Sequence, residues 1–159
     1  MNVIIKNHYK GKLPINIVKR VKRLLKYVPD NYLFDLKMIS IVNRITYSKH
    51  RNASGIYLPK DKSSEARIEI AIDTIYMESN WFLMLLPVLS KYFLARVLYH
   101  EIGHHYQYEK KSLKKKYRED FAEKISNELL KRYFSNWKYL LYPLIPFIWL
   151  LKRIKNIFK

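Results

Sequence analysis

Apolar positions recur at helical spacing in three stretches of this chain and alternate in one. Ile15, Val18, Val21, Leu25 and Val28 step by three and four residues, and Lys19, Arg20, Lys22, Arg23 and Lys26 fill the other side. That spacing predicts an amphipathic helix opened by Pro14 and closed at Pro29-Asp30-Asn31. A second helix is expected from Val88 to Glu109, with Leu94, Ala95, Leu98, Ile102 and Tyr106 as its core stripe. A third, from Leu113 to Phe134, carries Tyr117, Phe121, Ile125, Leu129 and Tyr133 at every fourth position. Between the first helix and the other two, Met38 to Ile45 and Ile56 to Leu58 read as strands. In a further strand Ala66, Ile68, Ile70 and Ile72 alternate with Arg67, Glu69, Ala71 and Asp73. Asn52-Ala53-Ser54-Gly55 and Asp61-Lys62-Ser63-Ser64 are the turns between strands. The expected fold class is α+β: an N-terminal helix, a small mixed three-stranded sheet and a helix pair. One domain over 1–136 is followed by a tail over 137–159.

The second helix carries the chemistry. His100-Glu101-Ile102-Gly103-His104 is an HExxH sequence. At about 3.6 residues per turn, residues four apart share a face, so both imidazoles can reach one metal ion at about 2.0 to 2.1 Å. Glu101 lies about 100° round, where it can serve a water molecule without being a ligand. A helical His pair is also common on ordinary surfaces, so the neighbours matter. Val97, His100, Glu101, His104 and Tyr108 form a face beside the core stripe, and a polar cluster there is costly without a use. Gly103 costs about 1 kcal/mol relative to Ala inside a helix, which close packing at that point would offset. His105 is expected off the site face, as a supporting or exposed residue.

A third ligand is expected from the following helix, where Glu119, Asp120 and Glu123 compete. On a helical wheel Glu119 falls within the apolar arc, Glu123 at its edge about 40° on, and Asp120 with Lys124, Asn127 and Lys131 on the solvent side. An acid near a helix N-terminus is also favoured by the dipole alone. Together with the His pair, Glu119 is the preferred ligand.

His100-Glu101-x-x-His104 followed on the next helix by Glu119 and Glu123 resembles the gluzincin metallopeptidases, and the fourteen-residue gap suits their compact members, the minigluzincins. The resemblance is tight over 100–123, looser over about 13–134, and absent from the tail. It implies a zincin-like fold, one Zn2+ per chain held by His100, His104 and Glu119, and Glu101 as the general base of peptide hydrolysis. Glu123 maps to an acid that supports a ligand His. The family more often has Asp there, which leaves the choice between Glu119 and Glu123 open. By the same resemblance the strand nearest the zinc helix in sequence, Arg67, Ile68, Glu69, Ile70 and Ala71, is the edge that receives substrate backbone. An oxyanion partner of tyrosine type is expected, and Tyr108 and Tyr117 stand in the plausible stretch.

Composition adds three points. There is no cysteine, which excludes a disulfide frame, a zinc ribbon and a cysteine nucleophile. Residues 1–12 contain no apolar run with a cleavage site, so the cytoplasm is the expected compartment, with the inner face of the membrane as an alternative station. The formal net charge is +18. Nucleic acid or an anionic membrane surface would meet that charge, as would a merely solvated basic surface. The tail runs through thirteen apolar residues, Tyr139 to Leu151, into Lys152-Arg153. Thirteen is short of the roughly 20 needed to span a bilayer, and Pro143 and Pro146 interrupt a helix. Packing on the domain, a cover over the cleft that keeps an enzyme latent, an interfacial anchor and a homodimer contact are its four readings. The function expected is a zinc metalloendopeptidase acting on peptides or proteins. The alternative is a basic nucleic-acid- or membrane-binding protein with a metallopeptidase-like domain lacking turnover.

Overall fold

The computed structural model describes residues 3–11, 16–78, 87–110 and 117–135. Among them the fold is mixed α and β, with four strands where three were expected. The strands are β1 (Ile4–Asn7), β2 (Met38–Val42), β3 (Gly55–Leu58) and β4 (Arg67–Ala71), in the order β1-β2-β4-β3. β1, β2 and β4 run parallel, and β3 is antiparallel to β4. Four helices accompany them: α1 (Ile17–Leu25), α2 (Ile72–Glu78), α3 (Pro87–Lys110) and α4 (Arg118–Phe134).

Local chemistry accounts for most of the boundaries. Asn16 caps α1, its Oδ1 accepting from the Lys19 N–H at 2.9 Å. Pro14 and Ile15, expected to open that helix, lie outside the described residues. Asp61 closes its turn by accepting from the N–H groups of Ser63 and Ser64 at 2.7 and 2.8 Å. Strand β4 stops at Ala71, and Ile72, which continues the alternation in sequence, instead begins α2. β2 likewise ends at Val42, short of the expected Ile45.

One face of the sheet is apolar. Register aligns Ile39 with Ile68 and Ile41 with Ile70, and all four are fully buried. Against them lies α3, whose Leu94, Ala95, Leu98 and Ile102 are buried as the stripe predicts. Tyr99 is also fully buried, its hydroxyl donating to the Leu24 carbonyl of α1 at 3.1 Å. Each such large side chain contributes about 1.5 to 3 kcal/mol relative to exposure. β4 lies between β2 and β3, so the sheet's edges are β1 and β3. The expectation that Arg67–Ala71 forms an edge is therefore corrected: its backbone groups are taken up on both sides.

At Gly103, α3 and α4 approach backbone to backbone. A Cβ on Gly103 would lie 2.7 Å from the Ala122 Cα and 2.9 Å from its carbonyl oxygen. Ser126, one turn on, donates to the Arg96 carbonyl at 3.2 Å. Gly103→Ala gains about 1 kcal/mol in helix propensity. The clash is with backbone, which cannot rotate away, and overpacking of that kind costs about 1 to 3 kcal/mol. The expected result is a lower melting temperature together with weaker metal binding, since α4 carries Glu119; a raised melting temperature would contradict the contact. No helix among the described residues is long and apolar enough to cross a membrane. The tail over 137–159 and residues 113–116, assigned to the third helix from sequence, lie outside the described residues.

Candidate metal centre

The crossing at Gly103 brings the first turn of α4 over the middle of α3. His100 and His104 turn their Nε2 atoms toward each other, 3.1 Å apart. Glu119 Oε2 stands 3.4 Å from His100 Nε2 and 3.6 Å from His104 Nε2. These three atoms form a group that could hold a metal ion. A tetrahedral ion with bonds of about 2.0 to 2.1 Å separates its ligand atoms by about 3.3 Å, so the triangle has the right size. Two imidazole nitrogens and one carboxylate oxygen are also a donor set that suits zinc.

Glu119 and Glu123 take different places. Glu123 Oε2 lies 3.5 Å from Nδ1 of His100, on the side of the ring away from the triangle. Its other oxygen is approached by Arg96 at 3.5 Å and Asn127 at 3.4 Å. A carboxylate behind a ligand imidazole sets the tautomer and holds the ring. Asp120 is exposed and takes no part in the triangle. Glu119 itself is 77% exposed, so the apolar arc that the wheel gave it does not bury it; it reaches the His pair from the rim.

Glu101 is buried, with 7% exposure, on the side of α3 that faces β3. Its carboxylate accepts the backbone N–H of Tyr57. Burial, opposed by that hydrogen bond and aided by the nearby Glu119, raises its pKa to about 8. The strand can come this close because residue 55 is glycine: a Cβ there would meet Val97 Cγ1 at 2.7 Å and Glu101 Cγ at 2.9 Å. Gly55 read as a turn residue in sequence, and Tyr57 gave no signal among fourteen tyrosines. The usable hint was a glycine beginning a strand in a chain with only three.

The register shows what the outer edge of β3 offers among the described residues. The Ala71 N–H donates to the Ser54 carbonyl at 2.9 Å, and Ile56 pairs with Glu69 and Leu58 with Arg67. Antiparallel pairing alternates, so Gly55 and Tyr57 turn their N–H and C=O groups outward. The outward Tyr57 N–H is the one that meets Glu101.

The remaining imidazoles and rings sort themselves around this core. His104 is held below the ordinary imidazole pKa by burial and by His100, with Glu119 acting the other way. His105 is neither exposed nor beside the triangle. It is fully buried under β3, its Nε2–H donating to the Phe34 carbonyl at 2.8 Å and its ring edge-on to Tyr57 at 5.2 Å. Burial lowers its pKa as well. Phe34 precedes Asp35, which has φ 61° and pairs with Lys37 at 3.2 Å and Lys60 at 3.8 Å. Tyr108 is half exposed and lies 5.9 Å from the Tyr57 ring, while Tyr117 is half exposed just ahead of α4.

Comparison with protein-family models, with curated proteins and with solved structures gives no match. The reading of the site therefore rests on its own residues and their geometry.

Proposed function

We propose that this chain is a zinc-dependent metallopeptidase of minigluzincin type, with His100, His104 and Glu119 as metal ligands and Glu101 as general base. The observation that carries the reading is the ligand-sized triangle of Nε2, Nε2 and Oε2 beside a buried carboxylate that is not part of it. When bound there, zinc supplies Lewis acidity and an open coordination position for water. Glu101 takes a proton from the attacking water on a carboxylate oxygen and passes it to the leaving amide nitrogen. Its burial beside the triangle and its bond to the Tyr57 N–H place it for both halves of that task. Glu123 holds His100 through Nδ1, keeping Nε2 free to bind metal.

Substrate backbone adds to the outer edge of β3, which pairs with no further strand among the described residues and where Gly55 presents an N–H and a C=O and Tyr57 a C=O. The Tyr57 N–H is held by Glu101, so a chain bonded along this edge lies beside the base. The expected result for the purified full chain is one zinc per molecule and cleavage of an unstructured protein that stops on chelation and returns with zinc. One zinc without cleavage of any unstructured protein would favour the binding protein lacking turnover. No stoichiometric metal would remove the proposal.

A further inference from the structure

The imidazole of His105 has no part in the metal triangle, and its place is costly. The ring is fully buried, and with Nε2–H donating to the Phe34 carbonyl at 2.8 Å its Nδ1 is an acceptor without a hydrogen-bond partner among the described residues. An unmet buried acceptor costs free energy that an apolar side chain of similar size would not. The imidazole is therefore explained by what it holds.

What it holds is the approach of β3 to α3. Glu101 and His105 stand one turn apart on α3, and both close on a single residue of the strand. Glu101 accepts the Tyr57 N–H, and the His105 ring stands edge-on to the Tyr57 ring at 5.2 Å. β3 has few other ties at this point. It is four residues long, pairs only with β4 among the described residues, and turns the Tyr57 N–H away from that pairing. Beyond its end Lys60 reaches Asp35 at 3.8 Å, but an exposed pair of that kind adds little. The turn before Asp35 is closed by the Leu36 N–H donating to the Leu33 carbonyl at 3.1 Å, and its Phe34 carbonyl is the one that His105 takes. One side chain thus ties both this turn and Tyr57 to α3.

We infer that His105 is a positioning residue for the general base: by fixing Tyr57 against α3 it holds in place the N–H that orients the Glu101 carboxylate. Misplacing a reacting group by about 1 Å can cost about a hundredfold in rate, so a loosened Tyr57 is felt in the chemical step. The effect on hydrolysis rests on the proposed peptidase activity, whereas the effect on the Tyr57 N–H does not.

His105→Leu in the full chain tests this by two measurements, amide exchange of the chelated protein followed by NMR and peptide hydrolysis by the zinc-loaded protein. Relative to the Gly103 amide at the crossing of α3 and α4, the Tyr57 N–H should exchange at least about tenfold faster than in the wild type. Zinc should stay at one per chain, and kcat should fall about ten- to a hundredfold with KM held within about threefold. His105→Gln, whose side-chain amide nitrogen can take the place of Nε2, should recover most of both losses. On a Glu101→Gln background His105→Leu should cost nothing further, since no base is left to misplace. A histidine that only stabilised the fold would speed exchange at Gly103 and Tyr57 by the same factor and would lower hydrolysis on both backgrounds. Either result would overturn the inference, as would loss of zinc or an unchanged Tyr57 N–H. If His105→Leu fails to fold, Tyr57→Leu removes the same ring contact from the other side, keeps the N–H and carries the same measurements. A wild-type chain that cleaves no peptide would remove the catalytic half of the inference together with the peptidase reading, while exchange at Tyr57 would still decide what His105 holds.

Discussion

Glu101→Gln keeps its metal and loses peptide hydrolysis by about a hundredfold to ten-thousandfold, the range a positioned general base contributes. The amide still accepts the Tyr57 N–H through its oxygen, so strand β3 and helix α3 stay in place and the His-Glu triangle is untouched. Undiminished cleavage by the variant would sink the mechanism. The same substitution has a second readout in metal-free protein. Glu101 binds its proton up to a pH of about 8 in the folded state, whereas an ordinary Glu releases it near 4.5. Between those values the folded chain holds one more proton than the unfolded chain, so stability falls as pH rises, by about 1.4 kcal/mol per pH unit, and levels off above about 8. Glu101→Gln removes that slope. His104 and His105 are held low, so each contributes in the opposite sense, adding stability as pH climbs toward 6.5. Both proteins share that term, and the difference between their pH profiles isolates Glu101. Denaturant melts of chelated protein at several pH values measure it, and parallel profiles would mean that the carboxylate is ionised in the folded state.

His104→Ala is expected to abolish stoichiometric zinc and, with it, all hydrolysis. The ring is partly exposed and its Nε2 faces the other two members of the triangle, so the metal-free fold should survive and the loss should read as binding rather than unfolding. Zinc retained at one per chain after this change would refute the ligand set. Glu119→Gln and Glu123→Gln grade the two acids. Glu123 acts through His100, and removing such a supporting carboxylate typically costs about ten- to a hundredfold in metal affinity. Glu119, at the corner of the triangle, should cost more. Because Glu119 is mostly exposed, its replacement strands no buried group. A larger loss at Glu123 would reverse the two roles.

How much of this was legible in the sequence depends on whether local spacing or distant pairing decides. The extent of α3, its buried stripe and the shared face of His100 and His104 follow from a period of 3.6, and the structure agrees within a residue or two. Gly103 was readable as a close contact because nothing else compensates a mid-helix glycine. Strand order was not readable. β1 is four residues, Ile4 to Asn7, made into a strand by parallel pairing with β2 rather than by alternation of its own. The edge was assigned to Arg67–Ala71 by nearness in sequence to α3, but β3 pairs along its far side and takes the edge, presented by Gly55 and Tyr57. Glu119 and Glu123 differ by one turn, and only the crossing of the two helices separates them. His105 was correctly turned from the site face, yet nothing local foretold that the Phe34 turn and Tyr57 would enclose it.

The backbone-on-backbone contact at Gly103 and Ala122 bears on how this chain can change over generations. A core built from Ile and Leu side chains can be re-cut by drift, since neighbours absorb a lost or added methyl. The distance between the His pair and Glu119 is insulated from such exchanges, because it is set where two main chains touch. Only a few small residues, Gly103, Ala122 and Ser126, act as its gauge blocks. The site is in consequence more brittle at those positions than across the Ile and Leu core, and a library of variants scored for zinc uptake should show losses at these three, smaller than those at the ligands themselves.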